Sequence, residues 1–198
     1  MVETAAHLAD HVLPSLPVRQ WVLSVPKRLR YFLHDDAPVH GVVLRILVRA
    51  VERCLREHSP GCSAAARLGA VAFIHRFGSA LNAHLHFHCC ILDGVFESAG
   101  TTPGVVFHAA LGLDAAAVRQ VQARVRQQVL RAFVRRGLLD QGEADAISKW
   151  HHGGGFSLDA AVRIDGGGGG RGARAPGSAG DWRTQRCNQR RVRGTFHH

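Results

Sequence analysis

The sequence predicts an α+β fold, in which an antiparallel sheet of four to five strands carries helices packed on one face. Short apolar runs rich in strand-forming residues, bounded by Gly, Pro and Asp, supply the strands. Two long segments with apolar residues at helical spacing supply the helices. Hydrophobic residues make up 46% of the 198, which is enough for one domain with a buried core.

Five segments have the composition of strands. The first ends at a proline, and the third contains the turn signal Asp93-Gly94. The second, third and fourth segments follow one another closely and are expected to form an antiparallel meander. The predicted strands span residues 19–25, 69–77, 85–96, 104–108 and 156–164.

Two long helices, over residues 38–58 and 114–136, are predicted to cover one face of the sheet. Asp114 suits the N-cap of the second helix, and Gly137 is the kind of residue that commonly follows a helix end. A shorter helix is expected over residues 141–149.

Composition divides the chain into three regions. Residues 1–18 show little pattern, which is typical of a lead-in or linker, and residues 19–164 carry all the predicted elements. Residues 165–198 hold nine glycines and seven arginines against two aspartates, a net charge of +5. Such a segment cannot bury an apolar face, so a disordered tail is expected there.

The formal net charge of +10 indicates a polyanionic partner, first of all nucleic acid, with a merely soluble basic protein as the alternative. No run of 18 apolar residues occurs, which argues against a membrane-spanning segment. The N-terminus lacks a secretory pattern. The five cysteines fit neither a disulfide framework nor a zinc knuckle, so reduced thiols in a cytoplasmic protein are expected.

The second long helix bears a series of arginines on its polar side, and these are the candidate DNA-binding residues. The alternative is a solvated helix surface without a partner. The candidates are Arg119, Arg124, Arg126 and Arg131.

The third predicted strand alternates histidine with apolar residues over positions 84–88. Side chains two residues apart on a strand point to the same face, so His84, His86 and His88 are predicted to line one face. If residues 78–83 form the hairpin loop, residue 77 pairs with 84 and His75 lies beside His86 as a third ligand. His75, His86 and His88 therefore form the candidate metal site.

The alternative is an exposed polar face without a ligand, because 14 histidines make an accidental triplet common. A register slip of one residue would also turn His75 to the other face. From residue types alone, imidazole nitrogens favour Zn²⁺ or another transition ion over Mg²⁺.

Residues 70–96 (AVAFIHRFGSALNAHLHFHCCILDGVF) resemble the core of the HUH-type rolling-circle insertion-sequence transposases, in which two histidines flank one bulky apolar residue. His86-Phe87-His88 matches that motif. Further matches are QWVLSVPKRLRYFL (20–33), RRGLLD (135–140) and GGGFSLDAAVRID (153–165), so the resemblance spans roughly residues 15–165.

The resemblance implies an HUH endonuclease-like fold and metal-dependent DNA transposition on single-stranded DNA at transposon ends. It implies that the two histidines and a third polar ligand hold Mg²⁺ or Mn²⁺, which polarises the scissile phosphate. A tyrosine hydroxyl would attack that phosphate and conserve the bond energy in a phosphotyrosine for strand transfer.

The chain departs from this family in its nucleophile. Its single tyrosine, Tyr31, lies upstream of the histidine strand, whereas the family's tyrosine follows it, so Tyr31 is expected to serve packing. The Gly/Arg-rich tail stands where the nucleophile's helix is expected, which suggests a truncated or frameshifted transposase that has lost cleavage. A cysteine-rich zinc module, usual before the first strand in the family, is also missing.

Two other functions stay open on the sequence alone. The chain could be a non-catalytic basic module that binds single-stranded DNA or RNA through its arginines. It could instead be a metal-binding protein that uses the histidine cluster without any nucleic acid.

Overall fold

The computed structural model describes residues 15–34, 36–77, 83–100, 104–150 and 154–165. These residues form four helices and seven strands, and five of the strands build one antiparallel sheet. The predicted α+β class is therefore confirmed. Most of the predicted lead-in and all but the first residue of the predicted tail lie outside the described residues.

The large sheet has the strand order β2-β3-β1-β6, and β7 pairs with the same edge of β1 as β6. The remaining strands, β4 and β5, form a separate hairpin. In chain order the elements are β1 (Val18–Ser24), α1 (Lys27–His34), α2 (Ala37–His58), β2 (Ala70–Phe77), β3 (Ala83–Leu92), β4 (Gly94–Ser98), β5 (Val105–Ala109), α3 (Ala115–Arg135), α4 (Gln141–Lys149), β6 (Ser157–Asp159) and β7 (Arg163–Ile164).

The large sheet has one buried face and one open face, as the alternation along β1 shows. Trp21 and Leu23 are fully buried, and they join the apolar residues of α2 and α3 in one core. The intervening residues Gln20, Val22 and Ser24 are half-buried and point the other way. We call the side of the sheet that these three residues share the open face. Helices α2 and α3 thus pack on the opposite side, as the sequence predicts.

The capping residues of α3 lie where the sequence predicts. The Asp114 carboxylate accepts a hydrogen bond of 2.8 Å from the backbone N–H of Ala117, an interaction that typically stabilises a helix by about 1 kcal/mol. Gly137 follows the helix with a φ of +69°, in the left-handed region that favours glycine. The two residues thus fix the length of the helix that covers the buried face.

The predicted meander has its predicted antiparallel pairings, but they do not form one continuous sheet. The predicted strand over residues 85–96 breaks at Asp93, so β4 leaves the large sheet and pairs with β5 instead. Gly94 makes this crossing possible, because a Cβ at that position would lie 2.3 Å from the carbonyl oxygen of His108. The last predicted strand, over residues 156–164, is likewise divided into β6 and β7.

Residues 27–34 form helix α1, which the sequence analysis did not predict. Leu29 and Leu33 are fully buried, whereas Tyr31 on the same helix is 82% exposed. The expectation that Tyr31 serves packing is therefore wrong. Its ring touches a neighbouring ring, that of Phe32, only edge-on, with the centroids 5.6 Å apart.

A buried carboxylate joins the ends of several strands at the break between β3 and β4. Asp93, only 2% exposed, accepts two hydrogen bonds of 3.0 Å from Arg19 and one of 2.7 Å from Arg163. Its backbone N–H donates to Pro17 and its carbonyl accepts from Ala110. Asp93 thereby ties β1, β7 and the β4–β5 hairpin to one point.

Candidate metal centre and nucleic-acid interface

Three histidines from two neighbouring strands meet on the open face. His75 of β2 pairs directly with His86 of β3, as predicted, and His88 lies two residues further along β3. Directly paired residues share a face, and Ser24 of β1 pairs with His86 from the other side. The histidines therefore point away from helices α2 and α3, on the open face of the sheet.

The register beyond His75 differs from the predicted one. Phe77 pairs with Ala83 rather than with residue 84, because an irregularity shifts the register between His75 and Phe77. His75 lies before this shift and keeps its place beside His86. The side chain of His84, predicted to share the face, lies outside the described residues.

The three imidazole rings are in mutual contact. The ring centroids of His75 and His88 are 4.4 Å apart, those of His86 and His88 are 4.8 Å apart, and those of His75 and His86 are 5.3 Å apart. One ring nitrogen from each residue lies within 4.8 Å of the other two. The cluster thus brings the three predicted metal ligands together.

The donor set fits a divalent ion. A four-coordinate ion with metal–nitrogen bonds of about 2.1 Å needs nitrogens about 3.4 Å apart, and the ring nitrogens here lie within 4.8 Å of one another. Among the described residues, the cluster holds three half-buried histidines and no carboxylate. A set of three imidazoles suits transition ions better than Mg²⁺, so of the two expected ions it suits Mn²⁺ better.

The electrostatics of the cluster keep His88 neutral. Burial, and then the charges that His75 and His86 would carry, lower the pKa of the His88 imidazole below its usual value. A neutral imidazole is the form that binds a metal, because a protonated ring has no free lone pair. Burial removes water from the charged form of the ring, so the same packing that lowers the pKa of His88 favours metal coordination.

Sequence reasoning missed Gln20 and Ser24 as neighbours of the cluster. The Nε2 atom of Gln20 lies 2.9 Å from Nδ1 of His88. Ser24 faces His86 across the β1–β3 pair. The alternation in the first predicted strand indicated that Gln20 and Ser24 share a face, but no local signal shows which strand pairs with it.

The four candidate DNA-binding arginines lie on α3, on the opposite side of the sheet from the histidines. The arginines form two pairs that lie on different sides of the helix. The two members of each pair are seven positions apart, which is close to two helical turns. One pair is Arg119 and Arg126, and the other is Arg124 and Arg131. The structure therefore places the four arginines on one helix, away from the metal cluster.

A groove of about 760 Å³ runs between α3 and α4. Arg124, Arg126 and Arg131 line it, together with the amides of Gln120 and Gln127. Arg124 lies 3.8 Å from a carboxylate, that of Glu57 on α2. For the other three candidate arginines, no carboxylate lies within 4.0 Å among the described residues. The groove thus has the guanidinium and amide donors that bind phosphate and sugar oxygens.

The described cysteines are free thiols. Burial raises the pKa of Cys54 to about 11 and that of Cys89 to about 12, so both are protonated at neutral pH. Among the described helices, none is long and apolar enough to cross a lipid bilayer.

A family model described as "Putative transposase" matches residues 69–170, slightly more than half of the chain. The matched segment begins just before β2 and contains the three clustered histidines, α3 and α4. No curated protein and no solved structure matches the chain.

Proposed function

This chain belongs to the transposase family that residues 69–170 match, and from that premise we propose that it is the metal-binding core of an HUH-type, rolling-circle transposase. Membership of the family implies a role in DNA transposition and DNA binding. The single observation that supports the finer proposal is the contact of His75, His86 and His88 on the open face of the sheet. Their two strands carry the two-histidine motif and its third ligand.

The cluster would hold Mg²⁺ or Mn²⁺ through one nitrogen of each histidine. When bound, such an ion withdraws charge from a phosphate oxygen and orients the phosphate for attack. The residues of the chain fix the orientation of the ligands: two of them share the rigid strand β3, and the third is held by the β2–β3 pairing. No helix among those described here covers this face, so an extended strand of DNA can approach it.

Single-stranded DNA is the partner that the open face suits best. Phe73 pairs with His88 and Val22 pairs with it from the other side, so both present apolar surface beside the cluster. Unstacked bases bind to such surfaces, and stacking on an aromatic ring contributes about 1–3 kcal/mol per base. The half-buried Phe73 is therefore the proposed platform for a base next to the phosphate that the ion would bind.

The arginines of α3 would bind a second segment of DNA. The sheet separates them from the histidine cluster, so one short strand cannot reach both surfaces without passing around the edge of the sheet. Their contribution to affinity should be electrostatic and independent of base sequence. The groove between α3 and α4 is the proposed contact for the sugar-phosphate backbone.

We do not expect these 198 residues to form a phosphotyrosine. The resemblance implies a nucleophile downstream of the histidine strand, and the single tyrosine, Tyr31, lies upstream on α1. Incubation with a single-stranded oligonucleotide and Mn²⁺ should therefore give no covalent adduct on a denaturing gel. An adduct that disappears in the Tyr31→Phe variant would show that Tyr31, exposed at 82%, is the nucleophile after all.

The metal proposal is tested with the double variant His86→Ala/His88→Ala. Mn²⁺ binding, measured by calorimetry, should be abolished, while most of the DNA affinity persists because the arginines lie elsewhere. His108→Ala is the matched control, since His108 lies on β5, outside the cluster, where its Nε2 atom is 3.6 Å from the Glu97 carboxylate. Retention of Mn²⁺ binding by the double variant would exclude the cluster as the metal site.

The two alternative functions give different results in the same measurements. A non-catalytic nucleic-acid-binding module would bind DNA with the same salt dependence whether or not the histidines are present. A protein that only binds metal would show no salt-dependent DNA affinity, and the family membership argues against it.

A further inference from the structure

Gln20 is hydrogen-bonded by its side chain to His88 from outside the cluster. It lies on the open face of β1 and pairs directly with Cys90, so its side chain reaches His88 diagonally across the β1–β3 pair. The Nε2 atom of Gln20 and Nδ1 of His88 are 2.9 Å apart, and both side chains are half-buried. This is a hydrogen bond of normal length in a partly desolvated place.

The orientation of the Gln20 amide corresponds to one tautomer of the neutral His88 ring. An amide nitrogen can only donate, so Nδ1 of His88 must accept, and the ring proton is then on Nε2. In that tautomer Nδ1 accepts the hydrogen bond from Gln20, and Nε2 carries the hydrogen. His88 then has no lone pair free for a metal.

We propose that Gln20 is a positioning residue that selects the tautomer of His88, and that its side-chain amide turns over when the metal binds. This inference rests on the proposed metal site. After the turn, the carbonyl oxygen of Gln20 accepts a hydrogen bond from Nδ1–H, and the lone pair on Nε2 is free for the ion. The proton leaves Nε2 and a proton is taken up at Nδ1, so His88 releases no net proton.

The geometry allows this turn without movement of the backbone. The oxygen and nitrogen of a side-chain amide have nearly the same size and position, so a half-turn about the last side-chain bond exchanges them. A metal-bound histidine commonly donates its other N–H to such an oxygen, and loss of that partner typically lowers metal affinity by about 10–100-fold. Gln20 is the hydrogen-bond partner of the His88 ring among the described residues.

Two variants separate this role from a structural one, because they should move metal affinity in opposite directions. Gln20→Leu keeps much of the volume and removes the acceptor, so Zn²⁺ or Mn²⁺ affinity should fall about 10–100-fold. Gln20→Glu offers oxygen acceptors only, which holds the proton on Nδ1 and adds negative charge, so the affinity should rise. Gln128→Leu, a half-buried amide on α3, is the control and should leave metal binding unchanged.

The direct test is long-range ¹H–¹⁵N NMR of the imidazoles in the full chain, with His88→Ala to assign the signals. In the metal-free protein at neutral pH, His88 should carry its proton on Nε2, and saturation with diamagnetic Zn²⁺ should move it to Nδ1. Gln20→Glu should show the proton on Nδ1 before any metal is added.

The inference is overturned if metal-free His88 already carries its proton on Nδ1, or if Gln20→Leu binds Zn²⁺ as tightly as the wild type. The metal-free tautomer is read on the unaltered chain, so misfolding of a variant cannot hide the answer. The measurement of the metal-free tautomer also does not depend on the proposed function. Retention of metal by His86→Ala/His88→Ala would refute the metal site while the Nε2–H tautomer could still be observed.

Discussion

The two faces of the large sheet present different groups, and we propose that they divide the work of the transposase between metal binding and DNA binding. The open face carries three imidazoles in contact, an amide and the hydroxyl of Ser24. The helical side carries the arginines of α3 and the groove beside α4. Uncharged ligands leave the full charge of a bound ion available to act on one phosphate. Guanidinium groups distributed along a helix attract DNA over a longer distance. Because the two sets lie on opposite sides of the sheet, we expect DNA affinity and metal binding to respond to separate substitutions.

The largest expected effect is on the free energy of unfolding, at Asp93, which joins β1, β7 and the β4–β5 hairpin. Asp93→Ala would leave Arg19 and Arg163 without their shared buried carboxylate, and breaking a buried ion pair from one side typically costs about 3–5 kcal/mol. Urea denaturation should show a loss of that size. Asp140→Ala, which removes an exposed helix cap, should cost about 1 kcal/mol. Equal losses in the two variants would mean that Asp93 does not tie the strands together.

A charge variant of α3 tests the helical side alone. Arg119→Gln/Arg126→Gln/Arg131→Gln should lower the slope of log affinity against log salt by about 2–3, since each phosphate contact contributes about 0.7–0.9. The exposed arginines Arg45 and Arg49 of α2 provide a control variant.

Binding of Mn²⁺ to the α3 variant sharpens the comparison. The metal affinity should change by less than about twofold, because distant sites without shared partners are nearly additive. A large loss of metal affinity would show that the two faces are coupled and that the division of work does not hold.

The smallest effect is the pH dependence of the metal-free protein. The pKa of His88 is lowered in the folded state, so below the unfolded value of about 6.5 the unfolded chain takes up the proton first. The free energy of unfolding should therefore decrease as the pH falls from 7.5 towards 5.5. His88→Gln should reduce this slope relative to the wild type. A slope that is unchanged, or that rises as the pH falls, would contradict the lowered pKa.

Local sequence signals predicted the parts of the molecule that local physics decides. Asp114 and Gly137 mark the ends of α3 because capping depends on the residue itself and its nearest backbone. The pairing of His75 with His86 was predicted from a loop over residues 78–83, and it holds although the register next to that loop is shifted by one residue. The cluster of three candidate ligands could therefore be predicted before its geometry was known.

The remaining features depend on contacts between distant parts of the chain. Gln20 reaches His88 only because β1 pairs with β3, 68 positions away in sequence, and no periodicity shows that pairing. The break at Asp93 was visible as a turn signal, but the two arginines from other strands that bind its carboxylate were not. The DNA-binding arginines were predicted from the pattern of one helix alone. Their separation from the histidines depends on the face of the sheet against which that helix packs.

The shifted register between His75 and Phe77 gives this hairpin freedom to evolve. An irregularity of this kind absorbs an odd residue, so the connection that follows can gain or lose a position without rotating the strand before it. The connection between β2 and β3 can therefore change in length while His75 stays opposite His86 and the three imidazoles keep their places.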